Sequence, residues 1–155
     1  MQELPFVLRN RALILSKHGN DIEYLAAAII ALVADKSLCL PESLHNTLPK
    51  LTRSDFHNAV FPVVAALASY HAFLEPQLQQ RLIKVLEMGM GSHSCAPISV
   101  AATMTCALEL RETMYKLLPE VLHTLSKISS TKPIANPMLE LLSTLTNLPK
   151  VKKLF

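Results

Sequence analysis

Glycine is scarce in this chain, with three residues out of 155. That shortage leaves no GxxxxGKS/T or GxGxxG loop, the motifs that cradle phosphate groups in many nucleotide-binding proteins. It also disfavours a turn-rich β fold, while the apolar half of the composition disfavours disorder. The composition therefore favours packed helices with short connections, at a length typical of one domain.

Cysteine and net charge are low as well. Cys39, Cys95 and Cys106 are widely spaced and form no CxxC pair, so neither a disulfide framework nor a zinc site is indicated. Reduced thiols in an intracellular protein are the simplest interpretation. The formal net charge of +3 is too weak to indicate nucleic-acid binding.

Catalytic and metal-binding patterns are also missing from the sequence. None of the six histidines lies in an HExxH motif, and no serine lies in a GxSxG elbow. His93 and Cys95 are close together but have no further ligands nearby, so a loop at a helix start explains them better. Glu109 and Glu112 are best interpreted as solvent-facing charges, and the lysines at 150, 152 and 153 as a solvated helix face. We predict no catalytic, cofactor-binding or metal-binding residue.

Two long stretches, residues 58–74 and 88–108, contain no Asp, Glu, Lys or Arg. A membrane-spanning helix needs about 20 mostly apolar residues. The first stretch is shorter than that, and the second contains two glycines, a proline and several hydroxyl side chains. Buried helices of a repeat protein explain both stretches better. A stand-alone helical adaptor or a membrane-associated helical protein stays open as the alternative.

Apolar residues recur at helical spacing, whereas no segment alternates with period two. The predicted helices cover residues 4–17, 21–34, 41–51, 55–73, 76–89 and 111–128, with two more that begin at Pro97 and Pro137. Three N-caps are predicted: Asn20 with Glu23, Ser54 with Asp55, and Asn136 before Pro137.

Three prolines mark a repeat of helix pairs. Pro62, Pro97 and Pro137 are spaced by 35 and 40 residues, and counting back 40 from the first reaches Ile22. A period of this length is typical of an α-solenoid of HEAT or armadillo type. We therefore predict an all-α solenoid segment over residues 1–155, a fragment of a longer array. One irregular helical bundle is the alternative architecture.

The approximate repeats are 22–61, 62–96, 97–136 and 137–155, or about three and a half helix pairs. Residues 4–17 are assigned to the second helix of an earlier pair. Ala26, Ala66 and Ala101 occupy equivalent positions, where a small side chain allows close helix approach. Pro62 lies inside its predicted helix, where it should produce a bend and leave the Asn58 carbonyl without its usual partner.

Two stretches resemble the central helical-repeat region of the tuberin family. They are DFHNAVFPVVAALASYHAFL, residues 55–74, and the more specific LPEVLHTLSKISSTKPIANPMLELLSTLTNLP, residues 118–149. Residues 4–33 are similar more loosely, so the resemblance covers nearly the whole chain. The last residues, KVKKLF, depart from the family pattern.

The resemblance implies a role for the parent protein. Tuberin-type proteins assemble with hamartin in the tuberous sclerosis complex and stimulate GTP hydrolysis on the small GTPase Rheb, which restrains TOR growth signalling. The family's catalytic asparagine belongs to a separate C-terminal domain that matches no segment here. The resemblance therefore implies a non-catalytic scaffold in the cytoplasm, peripheral to lysosomal membranes as part of the complex.

Overall fold

The computed structural model describes residues 3–9, 19–34, 52–128 and 132–153. Within these ranges the protein has α-helices, a short 3₁₀ helix over His71–Phe73 and no β-strand, which confirms the all-helical prediction. The α-helices are α1 (Leu4–Arg9), α2 (Gly19–Ala34), α3 (Arg53–Ala68), α4 (Pro76–Met90), α5 (Ala96–Glu109), α6 (Arg111–Lys127), α7 (Lys132–Thr146) and α8 (Pro149–Lys152). The predicted helix over 41–51, most of the one over 4–17 and Cys39 lie outside the described residues.

Among the described helices, α1 to α5 each pack on the described helix that is numbered two higher. In what we call the odd row, α1 contacts α3, α3 contacts α5 and α5 contacts α7. In the even row, α2 contacts α4 and α4 contacts α6. Contacts between successive helices from α2 to α6 join the two rows.

The first two helices both contact α3. α1 packs on α3, and α2 packs on both α3 and α4. The predicted repeats over 22–61, 62–96, 97–136 and 137–155 stay a prediction.

Most predicted helix bounds agree with the structure, and the errors concern caps and helix ends. The N-cap of α3 is Thr52 rather than Ser54, because Thr52 and Asp55 form a reciprocal capping box. The Asp55 amide donates to the Thr52 hydroxyl at 3.2 Å, and the Asp55 carboxylate accepts from the Thr52 amide at 2.8 Å. α3 ends at Ala68, five residues before the predicted end, and Asn20 lies inside α2 rather than at its cap.

The prolines occupy different places in their helices. Pro97 lies in the first turn of α5, as predicted, and Pro62 lies inside α3, also as predicted. The prediction for Pro137 was wrong, because α7 begins at Lys132 and neither Asn136 nor Pro137 starts it. Only one amide donor is lost there, close to the first turn, and the buried Ile134 extends the apolar side of the helix. The bend at Pro62 stays a prediction.

Three helices come close together at Gly89 in α4. A Cβ atom at this position would lie 2.3 Å from a ring carbon of Phe61 in α3 and 2.9 Å from the Ser99 hydroxyl in α5. That hydroxyl donates to the Leu86 carbonyl, so it also ties α5 to α4. We call these three residues the Gly89 junction.

The alanines expected at close contacts do not all serve that purpose. Ala26 and Ala66 are buried, as the repeat predicted. Ala101 is exposed, which contradicts the prediction, and Ala102 is buried in its place. Successive side chains along a helix differ in direction by about 100°. An error of one residue in the predicted alignment therefore moves a side chain from the core to the surface.

The charge-free run over 88–108 is not one helix, because α4 ends at Met90 and α5 begins only at Ala96. The run over 58–74 is divided in the same way between α3 and the 3₁₀ helix. Among the described helices, none combines the length and the apolarity that a membrane crossing requires.

Candidate interaction surface

The outer side of α7 carries an apolar stripe. Ala135, Met138, Leu139 and Leu142 follow one another at helical spacing, and the side chain of Leu139 is 65% exposed. Leu141, two residues along, is fully buried on the side of α7 that packs on α5. We call the four residues the α7 stripe.

The last long helix of the even row has a similar stripe. Tyr115, Leu118 and Leu122 of α6 lie three and four residues apart, with the first two half-buried and Leu122 exposed. α6 meets α4 on another side, where the Thr113 hydroxyl donates to the Gln79 side-chain oxygen at 2.7 Å. We call the three residues the α6 stripe.

Large exposed apolar side chains also occur at the other end of the rows. Phe6 of α1 and Tyr24 of α2 are each about three-quarters exposed, and Leu32 of α2 is 41% exposed. By contrast, α3 exposes no large apolar side chain, and α4 and α5 expose one each, Met88 and Leu108. Stacked helix pairs leave such faces at their terminal units.

A polar contact closes one side of the α6 stripe. Lys150 of α8 lies 2.5 Å from the Glu112 carboxylate, and its ammonium lies 4.8 Å from the centre of the Tyr115 ring. Its amide donates to the Tyr115 hydroxyl at 3.1 Å. The sequence predicts Glu112 as a solvent-facing charge. Residue spacing in the sequence could not predict its contact with Lys150, which lies 38 residues further along the chain.

A cavity of about 220 Å³ lies where the ends of α4 and α6 meet the starts of α5 and α7. Met90, Ala96 and Ile134 form a buried apolar floor. His93 and Lys127 lie exposed at its rim. A second cavity, about 320 Å³ and lined by Leu108, Arg111 and Asn147 among others, lies toward the opposite ends of α5, α6 and α7.

The two described cysteines do not suit thiol chemistry. Burial, with a smaller effect from Glu109, raises the pKa of the Cys106 thiol to about 12, so the nucleophilic thiolate is not available at neutral pH. Cys95 is buried as well and does not join His93 in a metal site. Nowhere in residues 3–9, 19–34, 52–128 and 132–153 do three His, Cys, Asp or Glu side chains cluster as metal ligands.

Glu87 of α4 lies at the boundary of the even row. Its Oε1 atom is buried and has no hydrogen-bond partner within the described part of the chain. Desolvation raises the pKa of this carboxyl, and the negative charge of Glu120 adds to the effect, while Lys84 opposes it. Lys84 and Glu120 pair at 3.5 Å, which links α4 to α6 at the surface.

The sequence comparison agrees with the resemblance found from the residues. The sequence model of one family, described as Tuberin, matches residues 1–155, which is the whole chain.

Proposed function

The chain belongs to the tuberin family, and we propose that it is a non-catalytic scaffold segment of a tuberin-like GTPase activator. In this proposal the parent protein assembles with hamartin in the tuberous sclerosis complex and stimulates GTP hydrolysis on Rheb. The segment sets the distance between other parts of the complex, and the complex restrains TOR signalling from the cytoplasm and lysosomal surfaces. The family match is the observation that carries the proposal.

The two rows of helices support a solenoid as the architecture of the scaffold. Each row continues by adding a helix to the same side, as α3, α5 and α7 do in the odd row. A solenoid transmits distance along its axis because each unit contacts its neighbours. We infer that α3, α4 and α5 form the interior of such an array and that further helix pairs or partners cover its ends.

The exposed stripes support the interaction part of the proposal. The α7 stripe and the α6 stripe place Leu139 and Leu122 in solvent at the same end of the two rows. Each stripe places its exposed leucine beside half-buried apolar neighbours on the same helix, and exposed apolar patches are typical of surfaces that another protein covers. We propose that hamartin or an adjoining part of the parent protein packs here.

The non-catalytic part of the proposal rests on the resemblance, which implies that the family's catalytic asparagine lies in a separate domain.

A GTPase assay tests this proposal. Rheb loaded with GTP is incubated with the 155-residue chain, and phosphate release is measured under single-turnover conditions, with a catalytically active tuberin-type protein as the positive control. We expect the chain to leave the hydrolysis rate unchanged. An acceleration that scales with the concentration of the chain would contradict a non-catalytic role.

A further inference from the structure

The cavity between α4, α5, α6 and α7 differs from the exposed stripes, because it is recessed and has a buried floor. Met90 is 1% exposed and Ile134 is 2% exposed, yet both line it. The second cavity is larger, but exposed residues such as Leu108 and Arg111 form much of its wall. The smaller cavity is therefore the better-formed receptor for an apolar group.

The volume limits what can enter. About 220 Å³ corresponds to roughly seven water molecules at about 30 Å³ each. Pockets that enclose a whole cofactor or drug-sized molecule run from about 300 to 1,000 Å³. One or two apolar side chains carried by a peptide fit this space better than a free cofactor does.

The rim of the cavity is basic. Lys127 supplies a positive charge, the exposed His93 offers a ring N–H that can donate a hydrogen bond, and no acidic side chain is among the described residues that line the cavity. The acidic groups on the same helices, Glu87 and Glu120, precede Met90 and Lys127 by three and seven residues, about one and two turns. An incoming segment with carboxylates beside its apolar side chain would meet complementary charge.

We propose that this cavity binds a protein segment in which a large apolar side chain is flanked by acidic residues. The apolar group occupies the floor at Met90 and Ile134, and the flanking carboxylates pair with Lys127 and His93 at the rim. The site is separate from the α7 stripe and does not depend on the scaffold proposal.

Fluorescence polarisation with a labelled probe peptide, Asp-Asp-Leu-Leu-Asp-Asp, measures the binding. We expect saturable binding, and no comparable binding of Lys-Lys-Leu-Leu-Lys-Lys or Asp-Asp-Ser-Ser-Asp-Asp. Affinity should fall severalfold as the salt concentration rises from about 50 to about 300 mM, because the rim charges are exposed. Equal binding of the basic and acidic peptides would overturn the proposal.

Charge reversal tests the rim with a matched control. Lys127→Glu should weaken binding of the acidic peptide by about tenfold, because the variant replaces an attraction at the rim with a repulsion. Lys116→Glu makes the same charge change at an exposed position of the same helix, outside the cavity, and should leave the affinity within about twofold. Circular dichroism confirms that both variants are folded. Equal weakening by the two variants would reveal a non-specific charge effect and overturn the proposal.

Methyl NMR locates the bound peptide. The methyl resonances of Met90 and Ile134 should shift on titration, while that of the exposed Met88, on the same helix but outside the cavity lining, should not. Shifts confined to Met88 would place the peptide elsewhere and contradict the proposal. Displacement of the probe by inorganic phosphate alone, with no shift at Met90 or Ile134, would show a simple anion site and also contradict it.

Discussion

The Gly89 junction and the α7 stripe have opposite surroundings. At the junction, Phe61, Gly89 and Ser99 belong to three helices and leave no room for one additional carbon atom. On the stripe, Leu139 projects into solvent from a helix whose other side is packed. The comparison teaches that buried contacts between helices determine the stability of this protein, whereas the exposed side of α7 presents apolar surface that stability does not require.

The largest difference is expected between two leucines of α7. Leu141→Ala removes a fully buried side chain and should lower the free energy of unfolding by about 3 kcal/mol, because a cavity is left behind. Leu139→Ala should change it by less than about 0.5 kcal/mol, since that side chain is already mostly in solvent. Urea denaturation of both variants measures the difference. A similar loss from both would remove the distinction between the stripe and the core.

Two glycines at the end of α4 provide a second comparison between a tightly packed position and an open one. Gly89→Ala should lower the free energy of unfolding by about 2 kcal/mol, because the new methyl group overlaps the Phe61 ring. Gly91→Ala is the matched control. Its Cβ would meet only the Met88 carbonyl, at 3.6 Å, so we expect a change under about 0.5 kcal/mol. Thermal unfolding followed by circular dichroism provides the measurement, and a neutral Gly89→Ala would show that the junction is not tightly packed.

A substitution of the partly buried Glu87 tests a position between the packed interior and the exposed surface. Since its folded pKa is raised, folding favours the neutral acid, and stability falls as pH rises from the ordinary value of 4.5 through the folded pKa. Glu87→Gln has no charge to desolvate and should be more stable than the wild type at pH 7, by less than about 1 kcal/mol given the partial exposure.

The advantage of Glu87→Gln should shrink as pH falls through the folded pKa of Glu87 and should be small below the ordinary value of 4.5, because the wild-type acid is then mostly neutral in both states. Paired urea titrations at pH 7 and pH 3.5 measure this change. A variant that is less stable than the wild type at pH 7 would mean that the ionised carboxylate has a compensating partner.

The smallest effect is expected at the exposed start of α3. The hydrogen bonds from the Thr52 amide and hydroxyl lower the pKa of Asp55 from its ordinary value of 3.8. Asp55 therefore contributes stability above that value, and the contribution is lost as pH falls through the folded pKa. Asp55→Asn should flatten the decline in stability between pH 5 and pH 2. Unchanged pH dependence in this variant would show that the capping box does not form in solution.

Helix type and most helix positions could be predicted, because amphipathic spacing and terminal residues act locally. α4 and α6 are the clearest cases, with apolar residues at regular spacing and bounds within one residue of those expected. The end of α3 depends instead on distant parts of the chain. The Tyr70 hydroxyl just beyond that end donates to the Leu8 carbonyl, 62 residues away, and no local pattern encodes that contact.

The proline pattern was only partly informative. Proline restricts the backbone geometry and lacks an amide donor. Whether a helix starts at a proline or continues through it depends also on which side chains before and after it are buried. Pro97 begins a helix, whereas Pro137 lies inside one because Ile134 and Leu141 bury the same side of α7. The pattern placed Pro62 inside a helix and Pro97 at a helix start, and the repeat bounds built on it stay a prediction.

The candidate surfaces could be predicted least. Spacing identifies the residues of the α7 stripe as one side of a helix, but whether Leu139 is exposed depends on which helices lie beside it. The cavity draws its lining from Met90, His93, Lys127 and Ile134, which span 45 positions of the chain. Such a site exists only once four helices have packed.

One measurement tests the scaffold role most directly. A tuberin-type parent protein with and without the segment corresponding to residues 1–155 is assembled with hamartin, and the complexes are compared for retained hamartin and for stimulation of GTP hydrolysis on Rheb. We predict that removing the segment abolishes most of the stimulation, whether through lost hamartin or through altered geometry in a complex that still forms. Full stimulation with hamartin fully retained would contradict the account.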